Sequence, residues 1–308
     1  MPDYFNRYLT LKVWPSGAKD PITLTQDWKI TYKVKKCSSA VTMSYNTAEI
    51  SIYNATSEIR ELIAQKYNVV ELDAGYVSNH GVIFSGYLYN LVTVKNNTDI
   101  VTTLYCATNT QIYGETVNKC VQNVLVTDLI AQICEEHGVS YRLPFKRNDV
   151  VQKSYTGSFG KVIAQICREY DISCGLDNGE LLFRDRKTTE GDISKSEIKV
   201  LTPSSGLLGN PTVTERGVKV KSLLQPFIQV NDYFRLEAPY ANYAINNISN
   251  TPGLILGNEL NVFAHIDTHN YNGVYMALSL TESGDTRGNS WYTEIEGSKV
   301  WPEQPNAR

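Results

Sequence analysis

The chain has 308 residues, 42 % of them hydrophobic and 20 % charged, with a formal net charge of −3. At roughly 100–200 residues per domain, that is enough for two or three domains with real cores. It excludes wholesale disorder, which needs low hydrophobicity and high net charge, and it removes bulk positive charge as a reason to bind nucleic acid.

Residues 1–108 read as mostly strand with one helix. Trp28-Lys29-Ile30-Thr31-Tyr32-Lys33-Val34 and Ala48-Glu49-Ile50-Ser51-Ile52-Tyr53 alternate apolar and polar residues, as half-buried strands do. Asn54 or Thr56 can cap a short helix whose apolar face is Ile59, Leu62 and Ile63, with Lys66 one turn on, forming a lid on a sheet. Strands are expected again at Val69–Leu72 and Gly81–Val94. The interior Gly86 of the second marks a bulge or a close backbone approach. Asn96-Asn97-Thr98-Asp99 is a turn before a closing strand over Ile100–Ala107.

The next segment, 109–199, contains an internal repeat. Leu129-Ile130-Ala131-Gln132-Ile133-Cys134-Glu135-Glu136 recurs 33 positions later as Val162-Ile163-Ala164-Gln165-Ile166-Cys167-Arg168-Glu169. Both have helical apolar spacing. Thr127 and Ser158 are plausible N-caps, and the short apolar runs Val139-Ser140-Tyr141 and Ile172-Ser173-Cys174 follow. Two copies are too few for a solenoid, so the expectation is a small α+β domain with a duplicated helix–strand unit. A turn at Asp177-Asn178-Gly179 leads into a strand over Gly179–Arg184.

Residues 200–308 are β again. Leu201–Gly206 reads as linker. Val218–Leu224 alternates, and Ile228–Val230 and Tyr233–Leu236 continue the strand pattern after Pro226. A polar, Asn-rich loop insertion is expected near 239–258. Glu259–Ala264, Gly273–Thr281 and Trp291–Glu296 complete an antiparallel set, with Trp291 expected to be buried in alternation with Thr293 and Ile295. The fold class is α+β, mainly β: one β-barrel domain over 1–108, a small α+β domain over 109–199 and a second β-barrel domain over 200–308. Twenty Tyr against 8 Phe and 3 Met suit a β-rich protein with large contact surfaces.

Chemistry-bearing groups are few. His265, Asp267 and His269 share one face of a strand, so two imidazoles and a carboxylate can converge on a metal there; a polar strand end is the alternative. There is no GxSxG elbow and no phosphate-binding P-loop. Four histidines (His80, His137, His265, His269) leave little choice of base for a nucleophile. His137 is placed at a helix C-terminus and His80 in a solvated turn. Glu135, Glu136, Glu169 and Asp171 supply carboxylates for glycoside cleavage, or else polar helix faces. Gly206–Asn210 and Gly284–Asn289 are glycine-rich but precede no helix, so they read as turns. No catalytic, cofactor-binding or metal residue is therefore assigned, and no cofactor. No stretch reaches the ~18 apolar residues of a membrane span. Met1–Arg7 lacks the layout of a signal peptide. Six cysteines without a CxxC pair suit a reducing, cytosol-like compartment, with free and mostly buried thiols.

Several phrases, in order along nearly the whole chain, resemble the baseplate hub proteins of contractile-tailed phages such as Mu. They are Ile52-Tyr53-Asn54, Leu72–Tyr76, Ile83-Phe84-Ser85-Gly86, Ser205–Pro211, Gly217–Pro226 and Ser283–Thr293. The chain departs where family members carry Gly in the turn after Pro226. It has Asn231-Asp232, which also tolerate left-handed geometry. The resemblance implies two tube-type barrels per chain and a homotrimeric ring in pseudo-sixfold array. A hexameric tail tube protein lies on one side, a trimeric tail spike on the other, and the tape-measure protein is a further partner. DNA passes through the central channel without specific binding. The site of action is the virion, in a tail baseplate assembled in the bacterial host cytoplasm, and no enzymatic activity is implied. The alternatives are a peptidoglycan-binding or peptidoglycan-cleaving tail protein, suggested by the repeated units of 109–199, and the hub of a phage-like toxin-delivery device.

Overall fold

The computed structural model describes residues 6–15, 19–38, 46–65, 68–108, 114–177, 179–194, 198–214, 217–243 and 271–300. The first part comprises β1 (Arg7–Trp14), β2 (Ile22–Thr25), β3 (Ile30–Cys37), β4 (Thr47–Tyr53), α1 (Ser57–Ile63), β5 (Val69–Tyr76), β6 (Asn79–Asn96) and β7 (Asp99–Ala107). The middle comprises β8 (Thr116–Leu125), α2 (Val126–Glu136), β9 (Tyr141–Arg142), β10 (Val150–Ser158), α3 (Phe159–Glu169), β11 (Ile172–Asp177) and β12 (Glu180–Asp185). The last part comprises β13 (Ile198–Leu201), β14 (Thr212–Thr214), β15 (Gly217–Leu223), β16 (Tyr233–Leu236), β17 (Asn242–Tyr243), β18 (Gly273–Asp285) and β19 (Trp291–Lys299). The chain is mainly β with three helices among the described residues.

The first and last parts share one 14-stranded sheet, which the two parts enter through β3 and β18. In the first part the pairing order is β3-β4-β7-β6-β5-β1-β2; in the last, β14-β15-β19-β18-β16-β13. The same order of pairing therefore recurs, with each long hairpin (β6–β7, β18–β19) in the same place. It is not identical throughout: β1 meets β5 antiparallel, whereas β13 meets β16 parallel.

Alternation builds the cores. Ile30, Tyr32 and Val34 of β3 and Ala48, Ile50 and Ile52 of β4 turn one face inward, with Leu72, Phe84 and Leu104 packed against them. β1 alternates as clearly, Leu9, Leu11 and Val13 being buried, yet neither it nor β2 is among the expected strands. Gly86 marks a close approach: a Cβ there would lie 2.4 Å from the Ala107 carbonyl oxygen. The register shifts of β6 fall elsewhere, opposite Leu72/Asp73 and between Leu88 and Asn90.

Thr56 caps α1, its hydroxyl accepting from the Ile59 amide at 3.3 Å, while Asn54 takes a left-handed φ of 56°. The apolar face of α1 is narrower than expected: Ile63 is buried, but Leu62 is 45 % exposed. Thr127 does not cap α2. The helix begins one residue earlier at Val126, and Thr127 is buried inside it. Ser158 stands at the N-cap of α3 but makes no capping bond. A reciprocal arrangement satisfies the first amide of each helix. The Val126 amide donates to the Asp149 carbonyl (3.0 Å) and the Phe159 amide to the Glu115 carbonyl (2.7 Å), each acceptor lying just before the other unit's strand.

In the middle part, β8 pairs antiparallel with β10, and the two helices bury Leu129, Ile130, Ile133, Val162, Ile163 and Ile166 in one cluster. Lys119 is paired with Glu136, and Lys153 with Glu169 at 2.5 Å, so the repeat extends to its ion pairs.

Two expectations for the last part need correcting. Leu201–Gly206 is no linker: Leu201 ends β13 buried, and Thr202 caps a 3-10 turn over Pro203–Ser205. Ile228–Val230 is not a strand. Turns carry it, with Ile228 and Val230 buried as plugs, because the Ile228 amide bonds back to the Gln225 carbonyl and Asn231 adopts φ 70°. The expected loop near 239–258 and the strand Glu259–Ala264 lie almost wholly outside the described residues.

Candidate functional site

Among the described residues the parts of the chain meet at several contacts, three of which are built around buried or paired polar groups. The first is the β3–β18 ladder, with Cys37 opposite Ser279 through to Thr31 opposite Asp285. Lys36 and Glu282 form an ion pair across it at 3.6 Å, with 2 % and 0 % of their side chains exposed. Tyr32 lies beside them. Burial, and then the Glu282 charge, push its hydroxyl well above the ordinary value.

The second contact is the β18–β19 hairpin, whose tip reaches into the first part. Arg7 donates to the carbonyls of Asp285 (3.0 Å) and Gly288 (2.6 Å), and its guanidinium lies 5.2 Å from the Trp291 ring. The Thr286 hydroxyl donates to the Trp28 carbonyl at 2.7 Å. Trp291 is buried among side chains of the first part, edge-on to Tyr32. Thr293 and Ile295 are buried in alternation with it, as the sequence predicts.

The third contact is a polar node at Asn231, itself fully buried. Its Nδ2 donates to the Leu182 carbonyl (3.0 Å), its Oδ1 accepts from the Ser173 hydroxyl (2.8 Å), and its carbonyl accepts from Arg184 Nε (3.2 Å). Ser173 also meets Ser38 of the first part at 2.7 Å. The residue that stands where Gly was expected thus keeps the left-handed turn and docks the middle part with its side chain. Beside the node opens a cleft of about 520 Å³, lined by Arg142, Arg184, Lys199, Phe227 and Asp232. Burial raises the Asp232 carboxyl against the pull of Arg184, Lys199 and Arg142.

Three of the acidic candidates, Glu135, Glu136 and Glu169, have side chains committed to a local partner. Glu135 accepts from the Tyr141 hydroxyl (2.8 Å), a bond that raises the Tyr141 pKa. Glu136 pairs with Lys119, and Glu169 accepts from Lys153, Tyr155 (2.9 Å) and Gln165 (2.9 Å). Asp171 occupies a left-handed turn position, φ 53°, and its carbonyl accepts from the Arg186 amide.

His137 sits at the C-cap of α2. Nδ1 lies 2.9 Å from the Ile133 carbonyl, which can only accept, so Nδ1 carries the proton. His80 is not a solvated turn residue. It belongs to β6, half-buried, with Nδ1 3.0 Å from Asp73 Oδ1 and its ring stacked on Tyr8 at 3.8 Å. Cross-strand pairing of β5 and β6 makes that contact. His265, Asp267 and His269 lie outside the described residues. Among the described residues, no three His, Cys, Asp or Glu side chains group to hold a metal ion.

Gly206–Asn210 is a turn strapped to β15: the Leu223 amide donates to the Gly206 carbonyl and the Leu208 amide to the Lys221 carbonyl, both at 2.7 Å. Gly284–Asn289 is the tip of the β18–β19 hairpin, closed by an Asp285 amide to Ser290 carbonyl bond at 2.7 Å. All six cysteines are free. Cys106, Cys134, Cys167 and Cys174 are buried, Cys37 and Cys120 exposed. Burial pushes Cys106 and Cys134 up to about 12. Sequence reasoning did not single out Arg7, the Lys36–Glu282 pair or the outer half of β6. That half exposes Tyr89 (58 %), Val92 (40 %) and Val94 (54 %). The alternation Val92-Thr93-Val94-Lys95 reads as a half-buried strand.

No helix among the described residues is long and apolar enough to cross a membrane. Comparison with curated protein sequences finds no match. Among solved structures, the chain is similar to the 43 kDa tail protein of prophage MuSo2 from Shewanella oneidensis: TM-score 0.56, 10 % identity, 96 % of this chain and 97 % of that one covered. It is also similar to a tail protein from Neisseria meningitidis MC58, with TM-score 0.57, 8 % identity and coverage of 97 % and 99 %. A third similar structure is an E. coli protein described as a component of the type VI secretion system with structural similarity to the T4 tail proteins gp27 and gp5. Its TM-score is 0.56 at 10 % identity, with coverage of 95 % and 78 %. At these identities the likeness is one of fold. The sequence profile described as "Baseplate hub gp41" matches residues 10–249, and the chain accordingly belongs to that baseplate hub family.

Proposed function

We propose that the chain is the structural hub of a phage tail baseplate, a homotrimeric ring that adapts a hexameric tail tube to a trimeric spike and leaves a central channel for DNA. In this reading 1–108 and 200–308 are two tube-type β-barrel domains, and 109–199 is a small α+β domain at their junction. The observation that carries it is the recurrence of one pairing order, β3-β4-β7-β6-β5-β1 and β14-β15-β19-β18-β16-β13, within a single chain of a baseplate hub family. Two like modules per chain let three chains present six to a sixfold tube, and closed symmetry repeats one interface around the ring.

The role is structural and not enzymatic. Three of the four acidic side chains singled out for peptidoglycan cleavage, Glu135, Glu136 and Glu169, serve ion pairs and tyrosine contacts, which favours the hub over the wall-cleaving alternative. The protein acts in the virion, with the tube protein, the spike and the tape-measure protein as partners and without membrane insertion. A hub of a toxin-delivery device is the second reading. What favours it is the fold shared with the E. coli type VI secretion component. Sedimentation and particle images test the proposal: three chains in a ring with a central hole are expected. A strict monomer, or a particle without a hole, sinks it.

A further inference from the structure

All three parts of the chain contribute to the cleft beside Asn231. The first part supplies Val82 of β6, and the middle part supplies Arg142 of β9 and Arg184 of β12. The last part supplies Lys199 of β13 with Phe227 and Asp232 from the turns after β15. At about 520 Å³ the cleft is of the size that ligand sites have. Three of its side chains are cations, and Asp232 is the one carboxylate lining it.

The charges do not cancel. Asp232 is committed locally: Oδ2 accepts from the Gln229 amide at 3.0 Å, and Oδ1 lies 3.9 Å from Arg184. Arg184 is itself buried, its Nε donating to the Asn231 carbonyl and its guanidinium 5.1 Å from the Tyr233 ring centroid. Arg142 pairs with Glu180 at 2.5 Å and keeps about half of its side chain exposed. Lys199 is exposed and makes no ion pair among the described residues. Three cations against Asp232 and Glu180 leave one positive charge uncompensated, and Lys199 carries it.

An apolar surface stands in the same cleft. Phe227 is 51 % exposed, yet its ring is backed by β6, since a Cβ on Gly81 would lie 3.4 Å from Phe227 Cε1. Arg142 and Lys199 stand on β9 and β13, each with one strand neighbour among the described residues, so extended backbone can lie alongside them. One uncompensated charge suits one carboxylate. A nucleic-acid backbone would bring a row of phosphates to Asp232 and to a chain of net charge −3. We propose that this cleft receives an extended segment of a partner protein, one Asp or Glu side chain of which meets Lys199 and Arg142 while a neighbouring apolar side chain packs on Phe227. A guanidinium beside an ammonium gives the carboxylate charge-assisted hydrogen bonds, and the exposed ring supplies the anchor. The inference goes beyond the hub role and holds for any number of chains in the assembly.

The test uses the full chain. Short random peptides displayed on a carrier are selected against it, and the enriched peptides are synthesised and their affinities measured by fluorescence anisotropy. Enriched sequences should place Asp or Glu beside an apolar residue. Lys199→Glu and Phe227→Ala should each weaken their binding at least about tenfold, as should replacing the peptide's Glu by Gln or its Asp by Asn. Lys199 is exposed, so Lys199→Glu should melt with the parent. Lys161→Glu, an exposed site on α3 away from the cleft, is the control and should leave binding unchanged. Enriched peptides without an acidic residue, or peptides that bind Lys199→Glu as well as the parent, overturn the proposal. So does a selection that enriches nothing over the Lys199→Glu chain. Displacement of the peptide by millimolar glutarate would assign the cleft to a small carboxylate, and displacement by a single-stranded oligonucleotide would assign it to nucleic acid; either overturns the protein partner.

Discussion

The indole Nε1 of Trp291 donates to the carbonyl oxygen of Gly75 at 3.0 Å, across 216 residues of sequence. The side chain comes from the last strand of the described chain, yet its ring is buried in the core of the first part. The β18–β19 hairpin is therefore a bolt through the junction and not a peripheral hairpin. Trp291→Ala should destabilise by about 3–5 kcal/mol, through the cavity and the lost transfer energy. Trp291→Phe should lose less, roughly 1–3 kcal/mol, for the stranded Gly75 carbonyl. Urea denaturation measures both, and a wild-type midpoint for Trp291→Ala would refute the placement.

Lys36 and Glu282 offer a second handle on the same junction. Both are buried, so removing one leaves a charge in a poor solvent for it. Lys36→Met alone should cost about 3–5 kcal/mol, whereas Lys36→Met combined with Glu282→Leu should come close to neutral. The decisive quantity is the coupling in the double-mutant cycle. Additive single and double effects would show that the pair does not interact.

Asn231 both turns the chain and docks the middle part. Asn231→Gly tolerates φ 70° but strands the Leu182 carbonyl and one bond of Ser173. A loss of about 1–3 kcal/mol is expected. Hydrogen exchange should quicken at β11 and β12 before it does so in the first part. A variant as stable as the parent would mean that the node is incidental.

Glu169 carries a pH signature. Burial acts to raise its pKa, but hydrogen bonds from Lys153, Gln165 and Tyr155 outweigh that and hold it below the ordinary 4.5. A carboxylate with a depressed folded-state pKa adds stability above its unfolded value, and that stability is lost as the pH falls through the folded value. The stability gap between the parent and Glu169→Gln should be full at neutral pH and narrow progressively below about 4.5. A gap independent of pH would remove Glu169 from the account.

Much of the strand content was legible because alternation is a local signal. β3, β4, β15, β18 and β19 stand where period-two runs place them, and the two repeated octapeptides fall in α2 and α3. β1 was equally legible in Leu9, Leu11 and Val13, but Pro15 just after it and the short β2 gave no long run to read. Thr127 is no cap because α2 begins one residue before it, at Val126, and Ser158 stands at the N-cap of α3 without making a capping bond. Ile228 and Val230 carry the right residues for a strand, but the left-handed Asn231 diverts the chain into turns.

By itself, then, the sequence determined which segments extend, which coil into helices, that the middle unit is doubled and that the chain resembles a baseplate hub. Each of these depends on residues close together in the chain, or on their order along it. Tertiary structure alone decided that β3 and β18 join two β regions into one sheet, that Trp291 crosses into the first core, and that Asn90–Asn96 is left with an open edge. Backbone pairing is blind to side-chain identity. Partners more than 200 residues apart leave no periodic trace, and only the register of the folded sheet shows which edge has been taken.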